Sequence, residues 1–112
     1  MTILSGHVVH SAERWHCMPL VQQMANVGSE VERTMHAYAL GNSERSDRAL
    51  ARALELFDLT ATDSRWRGGR RREVLRAREL FCTLFYPGPG SAGDEEYLRN
   101  YFLQFAVAAR RR

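Results

Sequence analysis

The sequence predicts an all-α fold, an antiparallel up-down four-helix bundle. Apolar residues recur at the 3.6-residue spacing of a buried helix face in four separate segments. Three stretches rich in Gly, Pro, Asn or Ser separate these segments, at residues 41–43, 63–69 and 87–93. No segment shows the sustained polar–apolar alternation of a strand, and four helices with short connections pack most simply as an antiparallel bundle. With 112 residues, the chain is expected to form a single domain over residues 1–112.

The first two helices are predicted from their apolar stripes and their ends. The first is expected over residues 18–40, with Pro19 in the first turn, where its missing N–H costs nothing. Its stripe consists of Leu20, Met24, Val27, Val31, Met35 and Tyr38. The second is expected over residues 44–61, with Ser43 as its N-cap. Its stripe consists of Leu50, Ala53, Leu54, Phe57 and Ala61.

The last two helices are predicted in the same way. The third is expected over residues 70–85, and its stripe consists of Val74, Ala77, Phe81 and Leu84. The fourth is expected over residues 94–109, where acidic residues in the first turn complement the helix dipole. Its stripe consists of Leu98, Tyr101, Phe102, Phe105 and Ala109. Residues 1–16 are expected to form a flexible N-terminal arm, with the alternative that residues 11–16 add a turn and Trp15 folds back onto the core.

Three small residues carry packing information. Gly28 lies in the middle of the first helix, where glycine costs about 1 kcal/mol relative to alanine. Its presence therefore predicts close contact with a neighbouring helix. Cys17 and Cys82 both fall in predicted helices and are expected to be buried, reduced thiols.

The arginines are distributed unevenly along the chain. All 16 basic residues are arginine, yet the net charge is only +3, so the basic character is local. Seven arginines lie between residues 65 and 78, and three more close the chain at residues 110–112. In an up-down bundle, the connection between the second and third helices lies at the same end as both termini. The two clusters are therefore predicted to meet there, joined by His7 and His10.

This basic end of the bundle predicts a surface that binds nucleic acid, with RNA favoured over DNA. Guanidinium groups match the geometry of phosphate oxygens, and so many like charges repel one another unless an anion is close. A tryptophan among them is expected to stack on a base. We call the predicted contact residues the arginine pole: Arg65, Trp66, Arg67, Arg70, Arg71, Arg72, Arg76, Arg110, Arg111 and Arg112. Two alternatives stay open, namely a solvated helix start with Trp66 packed on the bundle end, and a docking surface for an acidic protein.

Catalytic and metal-binding patterns are not found in the sequence. The histidines at positions 7, 10 and 16, with Cys17, fall short of four convergent zinc ligands. No pair of Glu-x-x-His motifs is present, and no serine or cysteine has a base at a spacing that predicts activation. No phosphate-binding glycine loop follows a strand. The sequence therefore predicts a protein that is not an enzyme and that needs neither a metal nor another cofactor.

The location is predicted from two further absences. No apolar run approaches the roughly 20 residues of a membrane span. The N-terminus has no basic region ahead of an apolar run, as a signal peptide would. We therefore expect a cytoplasmic protein with no membrane contact.

Two stretches resemble known proteins. Residues 22–33 (QQMANVGSEVER) and 52–59 (RALELFDL) together resemble small bacterial four-helix-bundle proteins. These include the products of intervening sequences in large ribosomal RNA genes and, more distantly, accessory variability proteins of diversity-generating retroelements. Some members assemble as cyclic oligomers with a basic surface that binds nucleic acid. The resemblance thus implies a homo-oligomer, with Arg70, Arg71, Arg72 and Arg76 as the contacts.

The leading functional prediction is a non-enzymatic accessory protein that binds nucleic acid through the arginine pole. It would neutralise phosphates without reading bases. The alternative is a protein-interaction adaptor, or the small subunit of a larger complex, that makes no contact with nucleic acid. That alternative predicts exposed apolar contact residues, with Trp15, Tyr86 and Tyr97 as candidates.

Overall fold

Four long helices make up most of the described chain. In this computed structural model, the described residues are 12–85 and 92–111. A short helical turn, α1, covers residues 12–15 and is followed by α2 (Leu20–Ala39), α3 (Ser43–Ala61), α4 (Gly69–Thr83) and α5 (Ala92–Arg110). Every regular element in these two ranges is helical, which confirms the all-α class. None of these helices is long and apolar enough to cross a membrane.

The tight turn between α2 and α3 fixes where both helices end. Gly41 has a φ of 75°, in the left-handed region that glycine tolerates. The next N–H, that of Asn42, then donates to the carbonyl of Ala37 at 3.0 Å and closes α2. The side chain of Asn42 accepts from the backbone N–H of Arg45 at 3.1 Å. Asn42 is therefore the N-cap of α3, and the prediction of Ser43 was wrong by one position.

The core lies between the four long helices. Their predicted apolar stripes supply its largest fully buried side chains, among them Phe57, Phe81, Met24, Leu98 and Val27. The ring of Phe57 lies 5.8 Å from that of Phe81 and 6.1 Å from that of Phe102, so one residue of α3 contacts both α4 and α5. Tyr38 is an exception, since it is half exposed and lies at the edge of the Phe85 ring.

The close approach predicted at Gly28 is present. A Cβ atom at this position would lie 2.8 Å from the Cβ of Phe102 on α5. Only a glycine allows α2 and α5 to pack at this distance, because the atom in the way is fixed to the neighbouring backbone. The prediction from the mid-helix glycine is therefore confirmed.

Two predictions near the N-terminus need correction. Residues 12–15 are helical and Trp15 belongs to the core, with only 5% of its surface exposed. The prediction of a flexible arm is therefore wrong for residues 12–16, where the alternative of an additional turn is correct. Residues 1–11 lie outside the described range. The thiol of Cys17 is exposed rather than buried, and that of Cys82 is partly buried; both are free.

Candidate nucleic-acid interface

A basic surface lies on the first two turns of α4. Arg70, Arg71, Arg72 and Arg76 are all exposed. No described side chain or carbonyl forms a hydrogen bond or an ion pair with any of the four side chains. Their guanidinium groups are therefore free to bind an external anion.

The start of α4 adds to this positive charge. Its N-cap is Gly68, which has no side chain to accept a hydrogen bond from the first turn, and that turn has no acidic residue. The N-terminal N–H groups of a helix carry roughly half a positive charge, and arginines beside them are electrostatically unfavourable. An anion bound here would satisfy the N–H groups and relieve the repulsion at the same time.

The acid inside the cluster, Glu73, is already engaged. It accepts a hydrogen bond at 2.8 Å from the hydroxyl of Tyr101 on α5. Burial, together with this hydrogen bond, raises the pKa of Tyr101, so the phenol keeps its proton and remains the donor. Glu73 thus points towards α5 and pairs with none of the neighbouring arginines.

Arg65 belongs to the framework of the protein. Its guanidinium donates to the buried carboxylate of Asp63 at 2.7 Å and to the carbonyl of Met18 at 2.7 Å. The hydrogen bonds that Asp63 accepts from Arg65 lower the pKa of this carboxyl well below its ordinary value, against the desolvation that burial causes. Arg65 therefore links the segment between α3 and α4 to the start of α2.

Trp66 is also held within this framework. Its indole N–H donates to the side-chain oxygen of Gln23 at 2.7 Å, and the guanidinium of Arg65 lies 4.6 Å from the ring centroid. One face of the ring is therefore covered by a cation. These contacts agree with the alternative in which Trp66 packs on the end of the bundle. Stacking of Trp66 on a base stays a prediction.

Sequence reasoning missed the residue at the centre of these contacts, Gln23. This residue is fully buried and its amide nitrogen donates to the carbonyl of Trp15 at 2.7 Å and to Asp63 at 3.1 Å. With the bond from Trp66, one side chain joins α1, α2 and the α3–α4 connection. The signal in the sequence was a glutamine one position before Met24 of the apolar stripe, which by itself does not distinguish a buried amide from a surface one.

The other predicted contact residues are placed as follows. Arg67 is exposed and donates to the carbonyl of Ser64 at 3.0 Å. Arg110 and Arg111 are exposed at the end of α5 and have no described partner for their side chains. Arg112, His7 and His10 lie outside the described residues. No group of three or more potential metal ligands occurs among the described residues.

Several arginines elsewhere in the described helices contact carboxylates. Arg78 pairs with Asp58 at 2.9 Å, and Arg99 pairs with Glu32 at 2.9 Å. These two pairs join α3 to α4 and α2 to α5. The contrast with the unpaired arginines of α4 shows that composition alone does not explain where the free positive charge lies.

Comparison with known proteins gives no relative to guide the assignment. No family description, curated protein or solved structure matches the chain.

Proposed function

We propose that this protein binds nucleic acid, RNA in preference to DNA, and acts as a non-enzymatic accessory protein. Its contacts would be phosphates, bound by the arginine pole. The observation that carries the proposal is the start of α4, where Arg70, Arg71 and Arg72 surround an uncapped helix N-terminus and have no described partner. Such a site binds phosphate by charge, guanidinium geometry and backbone donors together.

The proposal includes the up-down bundle topology. Contacts of α2 with two neighbouring helices support it, because residue numbers run in opposite directions across both pairs. Gly28 and Glu32 of α2 meet Phe102 and Arg99 of α5, respectively. The same reversal occurs between α2 and α3, where Gln23 bonds to Asp63 just beyond α3, and Glu30 lies 3.8 Å from Arg52.

This topology would extend the arginine pole beyond α4. The hydrogen bond between Glu73 and Tyr101 sets the register of α4 against α5. Arg70 lies about 4.5 Å along the helix before Glu73, and Arg110 about 13.5 Å after Tyr101, at 1.5 Å per residue. In an antiparallel pair both displacements have the same direction, so the two clusters would face one extended polyanion.

Two residues of the pole, whose side chains contact distant parts of the fold, would have a supporting role. Arg65 and Trp66 hold the α3–α4 connection against α2 and so fix where α4 begins. We therefore assign the phosphate contacts to the exposed arginines of α4, supplemented by Arg110 and Arg111. No base-specific contact is required, so binding would depend strongly on salt and weakly on sequence.

The test compares two triple variants that remove the same charge. Arg70→Ala, Arg71→Ala and Arg72→Ala together should abolish binding of a single-stranded RNA and flatten its salt dependence. Arg14→Ala, Arg78→Ala and Arg99→Ala, which lie outside the arginine pole, should retain most of the binding. Fluorescence anisotropy over a series of salt concentrations measures both properties, and circular dichroism checks that each variant folds.

The result that would reject the proposal is equal binding by the α4 variant and the wild type. Equal losses in both triple variants would also reject it, since they would show a response to net charge alone. Size-exclusion chromatography with light scattering, at low and at high salt, would report co-purifying nucleic acid and test the proposed homo-oligomer in the same run.

The adaptor alternative is favoured by one specific observation, an open groove between α4 and α5. It encloses about 700 Å³ and is lined by Ala77, Leu80, Tyr97 and Tyr101 among others. Tyr97 is 58% exposed there, as the adaptor prediction requires. Trp15 is buried and is not available to a partner, and Tyr86 lies outside the described residues. This alternative would be favoured if the wild type bound no RNA and a Tyr97→Ala variant lost a protein partner that the wild type binds.

A further inference from the structure

A second basic surface lies in the groove between α2 and α3. The groove encloses about 380 Å³. Arg33 and His36 of α2 form one wall, and Arg45, Arg48 and Arg52 of α3 form the other. This cluster is not visible in the sequence, because its residues from the two helices are up to 19 positions apart and acidic residues lie between them.

Positive charge dominates the groove. Its lining contains four guanidinium groups and a single carboxylate, that of Glu30, which leaves a net charge of +3 when His36 is neutral. Charges of one sign in a concave site reinforce one another's field and attract a counter-ion more strongly than the same charges on a convex surface. The groove should therefore attract anions more strongly than the modest net charge of the whole chain indicates.

The ion pairs inside the groove leave much of this charge available. Glu30 is 7% exposed, and one of its oxygens lies 2.6 Å from Arg33 and 3.8 Å from Arg52. Arg48 pairs with Glu44 on the exposed side of α3, at 3.2 Å. The side chain of Arg45 has no described partner.

Glu30 has a positioning role in this arrangement. Its second oxygen is buried and has no hydrogen-bond partner among the described residues. A buried acceptor without a donor is unfavourable. Its first oxygen attracts the guanidinium groups of Arg33 on one wall and of Arg52 on the other. The carboxylate therefore holds the two walls of the groove in position.

We propose that this groove binds an oligophosphate, such as the triphosphate of a nucleotide. Arg45, Arg48 and Arg52 follow one face of α3 and span about 10 Å at 1.5 Å per residue. That length suits a chain of two or three phosphates, each of which accepts from a guanidinium fork. The enclosed volume lies within the range of small-ligand sites and is too small for a duplex.

This site is separate from the arginine pole and uses none of its residues. The test therefore begins with the full-length Arg70→Ala, Arg71→Ala and Arg72→Ala variant, in which binding at the start of α4 is removed. Isothermal titration with inorganic tripolyphosphate at low ionic strength should still detect one site in this background.

Two further pairs of substitutions in that background locate the remaining site. Arg45→Gln with Arg52→Gln should weaken binding about tenfold, if each lost contact is worth about 0.7 kcal/mol, within the range for exposed charge pairs. Arg78→Gln with Arg99→Gln removes the same charge outside both the groove and the arginine pole, and should leave the affinity unchanged. Arg45, Arg52 and Arg99 are exposed and Arg78 is partly buried, so circular dichroism verifies that every variant keeps the fold.

The outcomes are distinct. Selective weakening by the groove pair supports the site, whether ATP binds as tightly as tripolyphosphate or more tightly through added nucleoside contacts. Three results would overturn it: no binding in the triple-variant background, equal weakening by both pairs, or binding of ATP without any binding of tripolyphosphate.

Discussion

Replacing Gly28 by alanine tests the packing of α2 on α5 with a single added methyl group. The new Cβ would lie 2.8 Å from the Cβ of Phe102 and 3.0 Å from two of its ring carbons. Carbon atoms in ordinary contact are about 3.5 Å apart or more, so the helices must separate by about 0.7 Å. Overpacking of this kind costs about 1–3 kcal/mol, and the better helix propensity of alanine returns about 1 kcal/mol. The net expectation is a destabilisation of up to about 2 kcal/mol.

Gly69 provides the matched control, since the same substitution at the start of α4 meets nothing within 4 Å. Gly69→Ala should raise the free energy of unfolding by a few tenths to about 1 kcal/mol, because alanine restricts the unfolded chain. Urea denaturation followed by circular dichroism measures both variants, and a shift of the midpoint at constant slope reports a change in stability.

The difference between the two variants isolates the contact with Phe102. Helix propensity contributes with the same sign to both, so the difference should be at least about 1 kcal/mol, or about 4 °C in Tm. If Gly28→Ala stabilised the protein as much as Gly69→Ala does, the argument from close packing would be refuted.

Two other predictions concern the buried polar contacts around Gln23. Gln23→Leu should lower the free energy of unfolding by about 2–4 kcal/mol, because it leaves the indole N–H of Trp66 and the carbonyl of Trp15 without their partner. The control is Gln22→Leu at the exposed neighbouring position, which should change the free energy of unfolding by less than about 0.5 kcal/mol. For Asp63, the folded-state pKa is lowered chiefly by the hydrogen bonds from Arg65, so its stabilising contribution is complete above the ordinary value of 3.8 and is lost as the pH falls below it. Denaturation near neutral pH and below 3.8 should therefore show a smaller acid-induced loss for Asp63→Asn than for the wild type, and equal losses would contradict the assignment.

The arginines show how one residue type takes on different roles by position. Arg65, Arg78 and Arg99 each contact a carboxylate and join two parts of the fold. Arg70 and Arg71 have the same side chain and no described partner. Asp63, which pairs with Arg65, is two positions away in the sequence. The pairing of Arg78 with Asp58 and of Arg99 with Glu32 cannot be read from neighbouring positions, because those carboxylates belong to other helices.

The sequence by itself determined the helices, their approximate limits and the residues of the core. The hydrophobic period, the helix caps and the helix-breaking stretches each depend on residues only a few positions apart. The sequence therefore identified Gly28 as a packing position and Trp66 as a candidate for either base stacking or burial. Only the tertiary structure decided that Gln23 is the buried centre of a polar network, that Trp15 belongs to the core, and that Arg33 and Arg45 line one groove. These outcomes depend on which faces of distant helices meet, and a local pattern in one helix does not contain the position of another.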